Sequence, residues 1–203
     1  MFHMKHIYTL LEQSKEELNI YIDILKRWQK AINLIAPSTV SDIWDRHIID
    51  SAQVYPLISD SAKNLYDMGS GAGFPAIVLS ILNQKNQGPL EKVVLIESDM
   101  KKCLFLKEVA RQLDLPIQIL NQRIESVQNQ RADIVTARAL SSLQNLLMWG
   151  RNIITPETTC LFLKGENVDE EIKKCSVSCQ IEKIKSITNS NSSILKVTEV
   201  LYD

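Results

Sequence analysis

The sequence predicts an α/β fold: a mostly parallel sheet, closed by an antiparallel hairpin, carries helices on both faces and follows an N-terminal helical cap. Two observations predict it. From residue 64 onward, short apolar runs alternate with helix-length segments, the pattern of a parallel sheet covered on both faces. Before residue 64, apolar residues recur at helical spacing. We expect a cap over residues 1–60 packed on a core over residues 61–203, in one compact unit.

The N-terminal segment contains two predicted helices. The first carries an apolar stripe opposite charged residues; the stripe consists of Leu18, Tyr21, Ile22, Leu25, Trp28 and Ile32. The second spans residues 44–55 and ends at Pro56, because the residue before a proline disfavours helical backbone.

The elements of the core follow in chain order. Predicted parallel strands cover residues 64–68, 93–97, 117–120, 134–137 and 159–164. Predicted helices cover residues 75–83, 99–113, 142–152 and 167–174. Residues 180–187 and 194–201 are expected to pair as the closing antiparallel hairpin, because the polar run between them is typical of a turn.

Composition excludes several classes of protein. With 45% hydrophobic and 23% charged residues, the chain is globular and not disordered. Lys and Arg number 23 against 24 Asp and Glu, so any nucleic-acid surface must be local. The chain has neither an apolar run near the roughly 20 residues of a membrane span nor a signal peptide, which predicts a cytoplasmic protein. The four irregularly spaced cysteines predict reduced thiols and no metal site.

The strongest chemical signal is the segment 67–75, Asp-Met-Gly-Ser-Gly-Ala-Gly-Phe-Pro, between the first predicted strand and a helix. It holds half of the 6 glycines in the chain, Gly69, Gly71 and Gly73. Glycine lets backbone amides approach a ligand closely, and the helix that follows offers unpaired N–H groups. The segment therefore predicts a ligand-binding loop.

The spacing of this loop decides which ligand it favours. The dinucleotide fingerprint needs a glycine where this chain has Phe74, and the Gly-Lys-Ser/Thr of a phosphate-binding P-loop is missing. Glu97 ends the second predicted strand, where a carboxylate can accept both hydroxyls of an adenosine ribose. The pattern therefore favours a ligand that contains an adenosine ribose but is not a dinucleotide.

These residues resemble the class I S-adenosylmethionine-dependent methyltransferases, which have a Rossmann-like sheet, a glycine loop of this form and an acid at the end of the second strand. More closely, the chain resembles the bacterial family of ribosomal RNA small subunit methyltransferase G, also called glucose-inhibited division protein B. The segments that carry the closer resemblance are Arg-His-Ile-Ile-Asp-Ser at 46–51, the glycine loop with Phe74-Pro75, Leu-Ile-Glu-Ser at 95–98, Thr-Ala-Arg-Ala-Leu at 136–140 and Leu-Lys-Gly at 163–165.

The resemblance implies transfer of a methyl group from S-adenosyl-L-methionine to N7 of a guanine in 16S ribosomal RNA. It places the cofactor on Gly69, Gly71, Gly73, Phe74, Glu97, Ile124, Glu125 and Arg138. Arg138 is also the implied catalytic positioning residue, and the candidates for substrate positioning are Arg46, His47 and Lys164. The implied partner is 16S ribosomal RNA or the small ribosomal subunit, and we expect a monomer.

The chemistry of N7 fits this set of residues. N7 carries a lone pair in neutral guanine, so attack on a sulfonium methyl needs no general base, and catalysis comes from holding the reacting atoms in line. His47 is therefore assigned either substrate positioning or a hydrogen bond between helix and core. Arg138 is expected to contact a phosphate or the cofactor carboxylate, because a bidentate contact with guanine would occupy N7.

Three alternatives stay open at this point. The chain is consistent with a class I methyltransferase that acts on another RNA or on a small molecule, or with a non-catalytic module that binds S-adenosylmethionine or RNA. A nicotinamide-dependent oxidoreductase is disfavoured by the missing glycine at Phe74. The chain departs from the family at Ala76, where a glycine is usual, and at 193–196, where many members carry an arginine.

Overall fold

The structure, a computed structural model, describes residues 2–128 and 130–202. Seven strands form one sheet: β1 (Asn64–Met68), β2 (Lys92–Glu97), β3 (Ile117–Asn121), β4 (Ile134–Arg138), β5 (Thr159–Lys164), β6 (Ser178–Lys185) and β7 (Ser193–Leu201). The α-helices are α1 (Phe2–Gln13), α2 (Lys15–Gln29), α3 (Asp50–Ala52), α4 (Ala76–Lys85), α5 (Met100–Gln112), α6 (Leu143–Trp149) and α7 (Val168–Lys174). The predicted α/β class is confirmed, and every strand lies within two residues of its predicted bounds.

The strand order of the sheet is β3-β2-β1-β4-β5-β7-β6. Strands β1 to β5 are parallel, whereas β7 is antiparallel to both β5 and β6, as the closing hairpin requires. The order reverses between β1 and β4, because the chain winds outward from β1 in both directions. In open sheets of this kind, ligands bind at such a reversal, outside the carboxyl ends of the strands.

Both faces of the sheet are covered. Side chains alternate along each strand, so that Leu65 of β1 packs into the cluster formed with α1, α2, α4 and α5, while Tyr66 packs into the cluster formed with α6 and α7. The same alternation separates Val93 from Val94 in β2. The strands therefore read as continuous apolar runs, which is why the sequence predicted a buried parallel sheet.

The predicted first helix is shorter than its apolar stripe. It ends at Gln29, whose side-chain oxygen accepts hydrogen bonds from the backbone N–H groups of Leu34 (2.9 Å) and Ile35 (3.0 Å). These bonds turn the chain out of the helix. Ile32 therefore packs on the core from a turn and not from the helix.

The predicted helix over 44–55 is helical only as far as residue 52, and it changes type along its length. The segment is a π-helical turn (Trp44–Ile49), followed by α3 and by a 3-10 turn (Tyr55–Leu57) that contains Pro56. The Ser51 hydroxyl donates to the backbone oxygen of His47 (2.6 Å), a bond that loosens regular helical geometry. π-Turns are rare and occur often at functional sites.

Within the described ranges, the helices are all too short or too polar to cross a lipid bilayer.

Candidate active site

A cavity of about 760 Å³ lies outside the carboxyl ends of the parallel strands, at the reversal of strand order. Its volume is in the range of ligand sites. Nine of the eleven residues predicted for the site line it: Gly69, Gly71, Phe74, Glu97, Ile124, Glu125, Arg138, Arg46 and His47. The topology thus gathers side chains that lie up to 92 positions apart in the chain.

The glycine loop follows β1, and two of its glycines are required for different physical reasons. Gly71 has φ +55°, and a Cβ there would meet nothing closer than the backbone oxygen of Gly69 at 3.8 Å. Gly73 has φ +90°, and a Cβ there would lie 2.4 Å from Ile77 Cγ1. Gly71 therefore keeps the cavity wall open. Gly73 is absent from that wall and permits close packing of the loop on α4, so its predicted cofactor contact stays a prediction.

Glu97 is fixed at the end of β2 by backbone amides. Its Oε2 accepts from Gly71 N (2.8 Å) and its Oε1 accepts from Asp99 N (2.8 Å), and the residue is 7% exposed. A carboxylate has about four acceptor positions, of which these bonds use two. The remaining positions are available to hydroxyl groups of a ligand in the cavity.

Arg138 ends β4 within a compact polar cluster. Its Nη2 donates to His47 Nδ1 (2.7 Å), and its Nη1 contacts Asp50 Oδ2 (3.4 Å) and the backbone oxygen of Arg46 (3.3 Å). The guanidinium lies 4.7 Å from the centre of the Phe74 ring, which allows a cation–π contact. The side chain is 16% exposed, and burial lowers the pKa of Arg138. Asp133, the nearest acid in the sequence, is not its partner, because its carboxylate accepts from the backbone N–H groups of Lys63 and Asn64.

The neutral form of His47 is the one that fits this cluster. An arginine only donates, so Nδ1 of His47 accepts, and Nε2 carries the proton that it donates to Thr39 Oγ1 (2.9 Å). The ring stacks on Phe74 with 4.9 Å between centroids. Burial, followed by the charges of Arg138 and Arg46, lowers the pKa of His47 to about 4. Of its two predicted roles, the structure contains the hydrogen bond between the helical segment and the core.

This low pKa predicts a pH-dependent contribution of His47 to stability. Its folded pKa of about 4 lies below the usual 6.5, so the unfolded chain takes up a proton that the folded chain excludes. The contribution of His47 to the free energy of unfolding is about 3 kcal/mol above pH 6.5, and it is lost as the pH falls toward 4. We expect the stability gap between the wild type and His47→Gln, measured by urea unfolding, to narrow by about 2 kcal/mol from pH 7.5 to pH 4.5. A gap that is constant with pH would contradict this account.

Asp67 lies beneath the site at the end of β1. It is fully buried; its Oδ1 accepts from Thr136 Oγ1 (2.7 Å), and its Oδ2 has no partner in the described part of the chain. Burial raises the pKa of Asp67 to about 7. This carboxyl therefore carries only part of a negative charge near neutral pH.

Lys164 occupies a different position from the other predicted site residues. Its ammonium contacts Glu171 Oε2 (2.6 Å) and the backbone oxygen of Ser141 (2.5 Å), and the residue is buried. It lines a smaller cavity of about 150 Å³ that shares Arg138 with the main cavity. Its predicted contact with a substrate stays a prediction, since the ammonium is already paired.

Several residues of the site were not predicted. The hydroxyl of Tyr21 on α2 donates to the backbone oxygen of Ala72, so this helix supports the glycine loop directly. Thr39 orients His47 through the bond between its hydroxyl and Nε2. The only signal for Tyr21 was a hydroxyl within an otherwise apolar stripe, because a buried tyrosine needs a partner for that group.

The order of the strands, the glycine loop after β1 and the buried acid that ends β2 together define a class I S-adenosylmethionine-dependent methyltransferase. Solved structures agree with this fold. The chain is similar to a SAM-dependent methyltransferase from Aquifex aeolicus (TM-score 0.60, 13% identity, 82% of this chain and 100% of that one). It is also similar to the ribosomal protein L11 methylase from Lactobacillus delbrueckii subsp. bulgaricus (TM-score 0.56, 14% identity, 73% of this chain and 78% of that one). Identities this low establish the fold alone.

Sequence comparison gives the family. Residues 14–196 match the family of rRNA small subunit methyltransferase G. The protein of that name from Jannaschia sp. (strain CCS1) is 46% identical over 186 residues, which are 91% of this chain and 88% of the relative. The one from Paramagnetospirillum magneticum is 42% identical over 190 residues, 93% of this chain and 90% of the relative. The chain belongs to the rRNA small subunit methyltransferase G family.

The predicted family and enzyme class are thereby confirmed, and S-adenosyl-L-methionine is the cofactor of this class. The cavity fits that molecule. Gly71 presents no side chain to it, Glu97 retains acceptor positions for ribose hydroxyls, and Arg138 supplies a cation for a carboxylate. The predicted rRNA substrate agrees with the family at the level of ribosomal RNA.

Proposed function

We propose that this protein transfers a methyl group from S-adenosylmethionine to N7 of a guanine in 16S ribosomal RNA. The observation that carries the proposal is the state of His47, which has both ring nitrogens in hydrogen bonds beside Arg138. Methylation at a protonated base nitrogen needs a free proton acceptor, whereas N7 already carries a lone pair. Both ring nitrogens of His47 are already hydrogen-bonded, so His47 is not free to take up such a proton. The methyl-accepting atom that suits this site is therefore one that needs no general base.

In this proposal the cofactor lies along the carboxyl edge of the sheet. S-adenosylmethionine supplies a methyl group on a positively charged sulfur. Ile124 and Glu125, after β3, flank the adenine, and Glu97 at the end of β2 accepts from the ribose hydroxyls. Gly69, Gly71 and Phe74 border the methionine portion, whose carboxylate pairs with Arg138 at the end of β4. All of these residues line the one cavity, in the spatial order of their strands.

Cations of the cavity wall are proposed to contact the RNA. Arg46, Lys102 and Arg123 all line the cavity, which gives local positive charge on a chain whose net charge is −1. Phosphate contacts position RNA and depend on few local cations when shape supplies the rest of the recognition. We assign Arg46 to a phosphate of the substrate, and we assign His47 to holding Arg138. Lys164 reaches the substrate only if its pair with Glu171 opens.

We further propose that residues 1–60 form a cap on the core of residues 61–203, and that the protein acts as a cytoplasmic monomer. The cap contributes Arg46 and His47 to the cavity wall. It also reaches the glycine loop through the Tyr21 hydroxyl, which donates to the backbone oxygen of Ala72. Loss of the cap would therefore open the site on one side.

A methyl-transfer assay followed by mapping of the product tests the reaction. Labelled S-adenosylmethionine is incubated with small ribosomal subunits, and separately with their naked RNA, from cells that lack this enzyme. Subunits from cells that possess it serve as the matched control, since their site is already methylated. We expect label in the enzyme-deficient material and one new site of chemical cleavage specific for N7-methylguanine. Transfer without that cleavage would assign another atom, and binding of the cofactor without transfer would assign another substrate.

A further inference from the structure

The turn of the closing hairpin lies close to the site, although β6 and β7 are the last strands of the fold. β7 runs antiparallel to β5 with Ser193 opposite Lys164, so the residues before Ser193 lie at the carboxyl edge of the sheet. The cavity of about 150 Å³ is lined by Arg138 together with Ser186 and Ser192 of the turn. The turn is therefore within reach of the residues that hold Arg138.

Asp50 joins Arg138 to this turn. Its Oδ2 contacts Arg138 Nη1 at 3.4 Å, and its Oδ1 accepts from Thr188 Oγ1 (3.0 Å) and Gln53 Nε2 (2.9 Å). The Asp50 side chain is 17% exposed. One carboxylate thus faces the site with one oxygen and the hairpin turn with the other.

Gln53 holds the turn and the carboxylate at the same time. Its Nε2 contacts Ser186 Oγ (3.1 Å) as well as Asp50, and its Oε1 accepts from the backbone N–H of Ile187 (2.9 Å). Gln53 is 5% exposed. A buried amide with all of these bonds is costly to rearrange, so the spacing between the turn and Asp50 is fixed.

We propose that Gln53 and Thr188 are positioning residues for methyl transfer: through Asp50 they hold the Arg138 guanidinium at the angle that the reaction requires. The closing hairpin then contributes to the active site and is not only an edge of the sheet. His47 fixes one nitrogen of the guanidinium, and the carboxylate held by the hairpin contacts the other. Nη1 also contacts the backbone oxygen of Arg46 at 3.3 Å. Without the carboxylate, that neutral oxygen is the remaining contact of Nη1, and the guanidinium rotates more freely than one paired with charge at Nη1 and with His47 at Nη2. This inference rests on the proposed role of Arg138.

Two substitutions test the chain of contacts. Thr188→Val keeps the shape of the side chain and removes its hydrogen bonds to Asp50 and Ser186. Gln53→Met keeps the length and removes the side-chain bonds of Gln53 to Asp50, Ser186 and Ile187. We expect the single-turnover rate of methyl transfer to fall about 3- to 10-fold in Thr188→Val. We expect a fall of roughly 30-fold in Gln53→Met, where the guanidinium is displaced further. The KM for RNA should stay within about twofold in both, because neither side chain contacts RNA in the proposal.

The matched control is Thr198→Val. Thr198 lies on β7, in the same hairpin, and its side chain has no hydrogen bond within residues 2–128 and 130–202. We expect its transfer rate to equal that of the wild type. If Thr188→Val and Thr198→Val have the same rate, the proposed positioning role is overturned.

Combination with Arg138→Ala distinguishes positioning from general damage. If the hairpin acts through Arg138, Gln53→Met adds no further loss of rate once Arg138 is gone. If Gln53→Met lowers the transfer rate by the same factor in the wild type and in Arg138→Ala, the inference is overturned and the proposed role of Arg138 stays intact.

A measurement without RNA separates this inference from the proposed function. Nitrogen-15 NMR of the Arg138 side chain, assigned by its disappearance in Arg138→Lys, reports restricted rotation of the guanidinium. We expect separate Nη signals in the wild type and in Thr198→Val, and merged signals in Gln53→Met. Unchanged Arg138 signals in Gln53→Met overturn the positioning role, whether or not rRNA accepts the methyl group.

Discussion

Gly71→Val is expected to weaken S-adenosylmethionine binding by at least about 100-fold while the protein stays folded. The new Cβ meets no atom closer than 3.8 Å, so the side chain causes no clash within the protein. Two further carbon atoms would instead stand at the wall of the cavity, where the backbone must lie close to the cofactor. At φ +55°, a β-branched residue also strains the loop by roughly 1–3 kcal/mol.

The backbone N–H of Gly71 adds to this effect. It donates to Glu97 Oε2 at 2.8 Å, so a loop that shifts to relieve strain also displaces the carboxylate that is proposed to hold the ribose. Titration calorimetry with S-adenosylmethionine and thermal unfolding measure the two consequences separately. Gly165→Val is the matched control, because Gly165 is exposed, has no atom within 4 Å of a Cβ and lies outside the main cavity. Binding by Gly71→Val within threefold of the wild type would contradict the assignment of the loop.

Gly73→Ala, in contrast to Gly71→Val, is expected to lower the stability of the fold. Its Cβ would lie 2.4 Å from Ile77 Cγ1 and 3.1 Å from Leu106 Cδ2, and its φ is +90°. Overpacking and backbone strain together should cost about 3 kcal/mol, which lowers Tm by roughly 6–12 °C in a chain of this size. Gly71 and Gly73 lie two positions apart in one loop. Equal losses of stability in Gly71→Val and Gly73→Ala would therefore show that the loop acts through packing alone. Thermal unfolding without ligand makes this comparison.

The sheet could be predicted from the sequence because its signals are local. Each parallel strand is buried on both faces and reads as an apolar run, and the helices between strands are set apart by polar residues. The position of Glu97 also followed from local pattern, since it ends β2 and strand ends face the crevice of such sheets. The bounds and type of the helical segment over 44–55 could not be predicted in the same way. The hydrogen bond from the Ser51 hydroxyl to the backbone oxygen of His47 lies in this segment, and hydrophobic periodicity carries no information about such a bond.

The contacts around Arg138 could not be predicted for a physical reason. Arg138 meets Asp50 across 88 positions of the chain, and Gln53 meets Ile187 across 134. Residue types identify possible partners, but the fold alone decides which of them become neighbours. The sequence singled out Arg138 by motif and His47 by chemistry, whereas Gln53 and Thr188 gave no signal, being ordinary polar residues until the hairpin folds back onto the sheet.

Arg138→Ala is expected to reduce methyl transfer by at least about 1,000-fold, the largest effect on rate in this protein. The guanidinium borders the main cavity and contacts His47, Asp50 and the Phe74 ring. When reacting groups are held in line, a displacement of about 1 Å can cost roughly 100-fold in rate, and loss of the proposed carboxylate contact adds to that. The variant should also lose about 2 kcal/mol of stability, because Asp50 stays partly buried without its cation.

Arg138→Lys separates these two consequences. A lysine keeps the positive charge near Asp50, so most of the stability should return. It lacks the planar fork that meets His47 and Asp50 together, and transfer should remain about 100-fold below the wild type. Arg27→Ala, an exposed arginine on α2, serves as the control for loss of one positive charge and should match the wild type in both measurements.

The decisive comparison is between transfer rate and folded fraction across these variants. If Arg138 only supports the fold, the rate per folded molecule is unchanged in Arg138→Ala, and Arg138→Lys recovers rate and stability together. If Arg138 orients the reacting groups, the lysine recovers stability alone, since charge is enough to pair with Asp50 but the fixed angle of the guanidinium is not reproduced. Single-turnover rates measured beside urea unfolding at one temperature discriminate between these outcomes, and we expect the second.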